Sequence, residues 1–157
     1  MNKKQLEPPS KTLFFEDYVI GVTQTFGNVA ISEEMIIEFA NLYDPQFFHT
    51  DPTRAKDSIY EGLIASGWHT TAIMMRELTF NYISDVSSLG SPGIKNLRWI
   101  EPVRPNDILS FRTTIKKTRR SSSKPDRGIV ESLIEVLNQE KKVVMDLNVT
   151  NFIACRT

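Results

Sequence analysis

The chain has 157 residues, and its 19 Lys and Arg are balanced by 19 Asp and Glu, leaving no formal net charge. That length fits one domain and is short for a two-domain enzyme, while 40% hydrophobic and 24% charged residues exclude intrinsic disorder. Neutrality removes the general electrostatic drive towards nucleic acid or an anionic membrane, and it favours self-association.

Residues 1–12 read as a flexible N-terminal tail and 13–157 as a single domain. The tail has basic residues and Pro8-Pro9 but no apolar stretch after them, so no signal peptide is expected. Tyr18 to Ile31, broken by Gly21 and Gly27, reads as one strand or a short hairpin. Ser32 then offers an N-cap, with Glu33 and Glu34 in the first turn. Met35, Ile36, Phe39, Ala40 and Tyr43 recur at helical spacing and predict an amphipathic helix over 33–43, which Pro45 helps to end. Asp51-Pro52 repeats the start signal for a short helix to about Ile59. Gly62 to Gly67 is a loop of small residues, and Gly67 to Val86 reads as a helix apolar nearly all round, hence buried.

The second half changes character. Residues 94–101, 109–115, 129–137 and 143–150 read as strands, three of them by clear alternation. Phe152 falls out of phase, which predicts a bulge near Asn151. Short connections between the four predict antiparallel pairing. One sheet wrapped around the longest helix satisfies this order: an α+β chain in the hotdog arrangement. Its open edge strand predicts a homodimer or higher homo-oligomer.

Cys155 alone cannot form an internal disulfide or a Cys-based metal site, and it reads as a small hydrophobe at a strand end. The longest strictly apolar run, Ala72 to Met75, is far below a membrane span, so the expected location is the cytoplasm. Lys116, Lys117, Arg119, Arg120, Lys124 and Arg127 stand against Asp126 alone. That segment reads either as a solvated hairpin tip or as a basic flap meeting the phosphates of an acyl carrier.

Only His49 and His69 are histidines. Asp44 and His49 lie on one short loop between two helices, among aromatics, where both groups can converge on one water. An apolar surround would raise the pKa of the aspartate and depress that of the histidine, bringing both towards neutrality for proton transfer. Spacing alone leaves a second reading, a helix-ending carboxylate beside a satisfied imidazole. Gly67 opens the buried helix, whose first N–H groups are unpaired, and its missing side chain lets a carbonyl approach as in an oxyanion hole. A tight helix entry would also explain it. His69 reads as a cleft residue or as a helix-surface or interface histidine. Trp68, Met74, Met75 and Trp99 read as core or as the wall of an acyl tunnel.

The run from Phe39 to Pro52, with Asp44-Pro45-Gln46-Phe47-Phe48-His49 at its centre, and then Gly62-Leu63-Ile64-Ala65-Ser66-Gly67, resembles the hydratase motif of MaoC-like dehydratases, the (R)-specific enoyl-CoA hydratases. Ser91-Pro92-Gly93-Ile94, Leu97-Arg98-Trp99 and the segment from Pro102 to Asp107 resemble the strand and turn that follow in that family. The resemblance spans about residues 15–155. It implies a hotdog dimer that reversibly hydrates trans-2-enoyl thioesters in fatty acid metabolism. Asp44 and His49 would activate water, and Gly67 would stabilise the thioester oxygen. Gln46, Phe47, Ser66, Trp68 and His69 would border the substrate. No metal or redox cofactor is implied, and coenzyme A enters only as part of the acyl-CoA or acyl-carrier substrate. Gln46-Phe47 stands where many members have Asn-Pro, and Ser66 where many have His; neither removes a proposed catalytic group. A hotdog thioesterase and a non-catalytic acyl-thioester binding subunit are the alternatives.

Overall fold

The computed structural model describes residues 11–157, so most of the expected tail lies outside the described residues. Lys11 itself is tied down. Its carbonyl accepts from the Asp85 N–H and the Ser84 hydroxyl, and its ammonium pairs with Asp85 at 3.1 Å.

Five antiparallel strands form one sheet: β1 (Thr23–Ala30), β2 (Gly93–Trp99), β3 (Ile108–Arg120), β4 (Arg127–Leu137) and β5 (Val143–Ala154), in the spatial order β1-β3-β4-β5-β2. The long helix α4 (Gly67–Asn81) packs on one face. The expected hotdog architecture is therefore present. Leu109, Phe111, Thr113 and Ile115 of β3 are buried, and so are Val130, Ser132, Ile134 and Val136 of β4 and Met145 and Leu147 of β5. Period-two alternation thus put one face of the sheet against the helix. The Tyr82 hydroxyl, just past α4, meets the Ser132 hydroxyl at 3.0 Å and marks that face.

Four expectations need correction. The one strand or short hairpin expected over 18–31 is a single strand that begins only at Thr23, after a 3₁₀ turn at Phe15–Asp17, and its register shifts between Phe26 and Val29. Gly27 there has φ +76°, and a Cβ would meet the Phe111 ring at 2.6 Å, so no other residue fits without a shift. Second, β5 has no bulge at Asn151, which pairs in register with Val130; Phe152 is simply on the outer face, opposite Ile129. Third, β2 is not beside β3. It lies beyond β5 at the far edge, so residues 100–107 cross the sheet from one side to the other. Fourth, α4 ends at Asn81 and is buried on one side only, through His69, Thr70, Ile73, Met74 and Leu78. Trp68, Met75 and Phe80 are exposed.

Helix α1 (Glu33–Tyr43) matches its predicted span, and the Ser32 hydroxyl caps it by accepting from the Met35 N–H. Two four-residue helices follow, α2 (Phe47–Thr50) and α3 (Pro52–Ala55). Asp51 caps α3 through the N–H groups of Thr53 and Arg54. That helix stops at Ala55 rather than near Ile59, and α2 was not expected at all. Cys155 is a buried free thiol just past β5. Among the described residues no helix is long and apolar enough to cross a membrane.

Candidate active site

Helix α1 ends on Asp44, whose φ of −153° leaves the helical region while its N–H still bonds the Ala40 carbonyl. Pro45 cannot continue the ladder. The chain turns at once, with the Gln46 N–H on the Asp44 carbonyl at 2.8 Å, and α2 brings His49 back beside Asp44. The imidazole is only 5% exposed. Its Nδ1 lies 2.7 Å from the Ile64 carbonyl, which can only accept, so Nδ1 carries the proton in this contact. Nε2 is then left with its lone pair, 3.4 Å from Asp44 Oδ2. The Ile64 N–H returns a bond to the Phe48 carbonyl at 3.1 Å, and the neighbouring Ala65 N–H bonds the Val103 carbonyl at 2.8 Å. Segment 64–66 is thereby pinned between α2 and the crossing after β2.

Asp44 receives two more hydrogen bonds, from Gln46 Nε2 to Oδ1 at 2.8 Å and from the Ser66 hydroxyl to Oδ2 at 2.7 Å. Desolvation is the largest single influence on its carboxyl and pushes the pKa up. The Ser66 and Gln46 hydrogen bonds, with a smaller electrostatic contribution from the neighbouring His49, together outweigh it, and the pKa lies below the usual aspartate value. The expected upward shift is therefore reversed. The sequence showed the apolar surround but not the two donors that hold the anion.

Ser66 is also the N-cap of α4, accepting from the Trp68 N–H at 3.2 Å. Gly67 is the first residue of that helix, so its N–H has no intrahelical acceptor and sits at the positive end of the helix dipole. The indole of Trp99 packs against it, and a Cβ on Gly67 would collide with that ring. Trp99 is steadied by its Nε1–H, 3.3 Å from the Thr71 hydroxyl, and by an edge contact with Trp68.

These groups border a cleft of about 440 Å³. Asp44, Gln46, His49, Gly67 and Trp68 all line it. Phe47, Ser66 and His69 do not. Phe47 turns to the Arg54 guanidinium and the Phe48 ring, Ser66 lies fully buried behind Asp44, and His69 is stacked on Phe39 at 4.7 Å. His69 is 6% exposed and its Nδ1 has no hydrogen-bond partner, so burial lowers its pKa. It is thus a core histidine rather than a surface one. Phe48, Tyr60, Val103 and Val144 were missed as lining residues, and Trp99 was weighed mainly as core. The apolar residues carry no chemical signal, and their convergence depends on the crossing after β2. Among the described residues no three His, Cys, Asp or Glu side chains are grouped to hold a metal ion.

The arrangement can hold a water in the cleft beside both an imidazole lone pair and an anionic carboxylate, with a helix-end N–H nearby for developing negative charge. Comparison with known proteins shows what the chain as a whole is similar to. A family model described as MaoC like domain matches residues 18–136. The crystal structure of a MaoC-like dehydratase from Rhodospirillum rubrum aligns with a TM-score of 0.86 at 35% identity, covering 92% of this chain and 99% of that one. The uncharacterized protein YdeM of Bacillus subtilis (strain 168) is 25% identical over 131 residues, 83% of this chain and 92% of its own length. The R-hydratase PhaJ1 from Pseudomonas aeruginosa shares the fold, with a TM-score of 0.73 at 20% identity, over 93% of this chain and 88% of its own.

Proposed function

The chain belongs to the MaoC-like domain family, and on that footing we propose that it is a hydro-lyase adding water reversibly to trans-2-enoyl thioesters. The observation that carries the reading is the pairing of His49 Nε2 with Asp44 Oδ2 at 3.4 Å, beside the first N–H of α4. The nucleophile is a water in the cleft that both side chains hold. Its oxygen bonds to C3 of the enoyl group while one of its protons passes to His49 Nε2. Asp44 accepts the second water hydrogen and stabilises the imidazolium. The electron pair of the C2–C3 double bond moves onto the thioester oxygen, which the Gly67 N–H faces. The enolate then collapses and C2 takes the proton back from His49. One water is added and the enzyme is regenerated; dehydration is the reverse.

The substrate brings coenzyme A or an acyl carrier as its handle, and no further cofactor takes part. We place the reaction in the cytoplasm, in keeping with a lone reduced thiol at Cys155. The working unit is a homodimer or larger homo-oligomer: edge strand β2 and the apolar side chains of Ile94, Trp99, Met75 and Phe80 stand uncovered on one chain.

The test is loss of enoyl-thioester absorbance with crotonyl-CoA and longer analogues. Asp44→Asn should lower turnover about 10²–10⁴-fold with the fold retained. Wild-type turnover in that variant removes Asp44 from the mechanism. Free thiol from a saturated acyl-CoA would indicate a thioesterase instead, and tight binding without turnover a non-catalytic subunit.

A further inference from the structure

A second concavity lies on the face of the sheet turned away from α4. Ser132 faces the helix through Tyr82, so its neighbour Glu131 points outwards, as does Ile129. Phe152 is opposite Ile129, and Thr150 is opposite Glu131. The hairpin turn at 121–124 and the start of β2 at 92–95 wall these residues into a groove of about 650 Å³. Lys95, Arg119, Lys124 and Arg127 line it against one carboxylate, Glu131.

Arg127 is held bidentately by Asp126. Lys95, Arg119 and Lys124 have no ion-pair partner among the described residues, whereas Arg98, Arg112, Arg120 and Arg156 each have a carboxylate. Even with Glu131 in the groove and the Asp126 charge reaching Lys124, cations from three segments leave a local positive excess in a chain of zero net charge. The groove also has an apolar floor. Ile129 is buried and Phe152 half-buried. A hydrated charged surface needs no such floor.

We propose that this groove binds a phosphorylated nucleotide, with its phosphates on Lys95, Arg119 and Lys124 and its base against Phe152. Exposed cations suit phosphate oxygens, and an aromatic face beside them suits a planar base. The volume lies within the range of small-ligand sites. Ser122 and Ser123 add hydroxyl donors at the turn. Two sources carry this chemistry: the nucleotide head of a coenzyme A thioester, and a free nucleotide acting as a regulator. The groove and the cleft share no lining residue, so nucleotide binding and the hydratase reading can fail separately.

The probe is adenosine-3′,5′-bisphosphate, which has no thioester, titrated calorimetrically into the full chain beside inorganic phosphate. Saturable binding that weakens with salt is expected, with inorganic phosphate much weaker. Arg119→Ala/Lys124→Ala should weaken it about tenfold or more, as for the loss of charge-assisted contacts. Phe152→Leu should also weaken it while leaving the salt dependence in place. A raised KM for enoyl-CoA at unchanged kcat in the double variant identifies the substrate's own head; an unchanged KM identifies a free nucleotide. Absence of binding, equal affinity in the double variant, or inorganic phosphate binding as tightly as the bisphosphate overturns the proposal.

Discussion

Ser66 donates its hydroxyl to Asp44 Oδ2 at 2.7 Å across 22 positions of sequence. Ser66 Oγ also accepts the Trp68 N–H, so one hydroxyl both caps α4 and holds the carboxylate that faces His49. The start of the central helix and the orientation of the acid are therefore a single structural event.

Ser66→Ala tests that coupling. The cap loss should cost about 0.5–2 kcal/mol of stability. One of the hydrogen bonds that lower the Asp44 pKa disappears, while desolvation, which raises it, remains. In the proposed reaction Asp44 works as the anion, so the acid limb of the kcat/KM profile should move to higher pH. Ser66→Thr, which keeps the hydroxyl, should move it back. A limb that stays in place in the alanine variant would show that Ser66 acts as a cap alone.

Gly67→Ala should destabilise by about 1–3 kcal/mol through overpacking, because the new methyl collides with the Trp99 ring. Adding Trp99→Leu should recover much of that loss, giving strong non-additivity in a double-mutant cycle read by urea denaturation. Simple additivity would mean that the ring moves aside without cost.

His69 is buried, its Nδ1 lacks a partner, and desolvation lowers its pKa. The unfolded chain binds its proton near the ordinary value of about 6.5, the folded chain only at lower pH. Between the two values the unfolded state carries more protons. Stability from this residue is therefore full above about pH 6.5 and is lost as pH falls through the folded value. His69→Phe retains the stack on Phe39 and has no titrating group. Its melting temperature should exceed wild type by more at pH 5.5 than at pH 8. Parallel melting curves across that range would refute the assignment.

The Tyr82 hydroxyl is buried against Ser132 at 3.0 Å. Ser132→Ala should cost about 1–3 kcal/mol by stranding it. In Tyr82→Phe/Ser132→Ala both partners are apolar and the pair penalty should largely vanish, as measured by chemical denaturation.

Much of this was legible in the residues. Alternation along β3 at Leu109, Phe111, Thr113 and Ile115 is a local property, and it survived folding intact. The caps at Ser32 and Asp51 are local too. The resemblance carried by the run from Phe39 to Gly67 is matched by a family model covering most of the chain. What escaped depends on contacts distant in sequence. Periodicity cannot tell which strand lies beside β5, so the place of β2 was hidden, and with it Trp99 packed on Gly67. The downward shift of the Asp44 pKa depends on Ser66, which the family comparison marked only as a departure. Phe152 was out of phase with the apolar pattern because it faces the basic groove, not because the strand is bulged.

Ile64 holds His49 through its main-chain carbonyl, while the residue itself lines the cleft. The two tasks use different atoms of one position. Exchanging the side chain for valine or alanine leaves the proton acceptor of the imidazole in place and changes only the room beside the substrate. Under the proposed hydratase reading, Ile64 is therefore a natural first site for redirecting substrate choice without disturbing the imidazole.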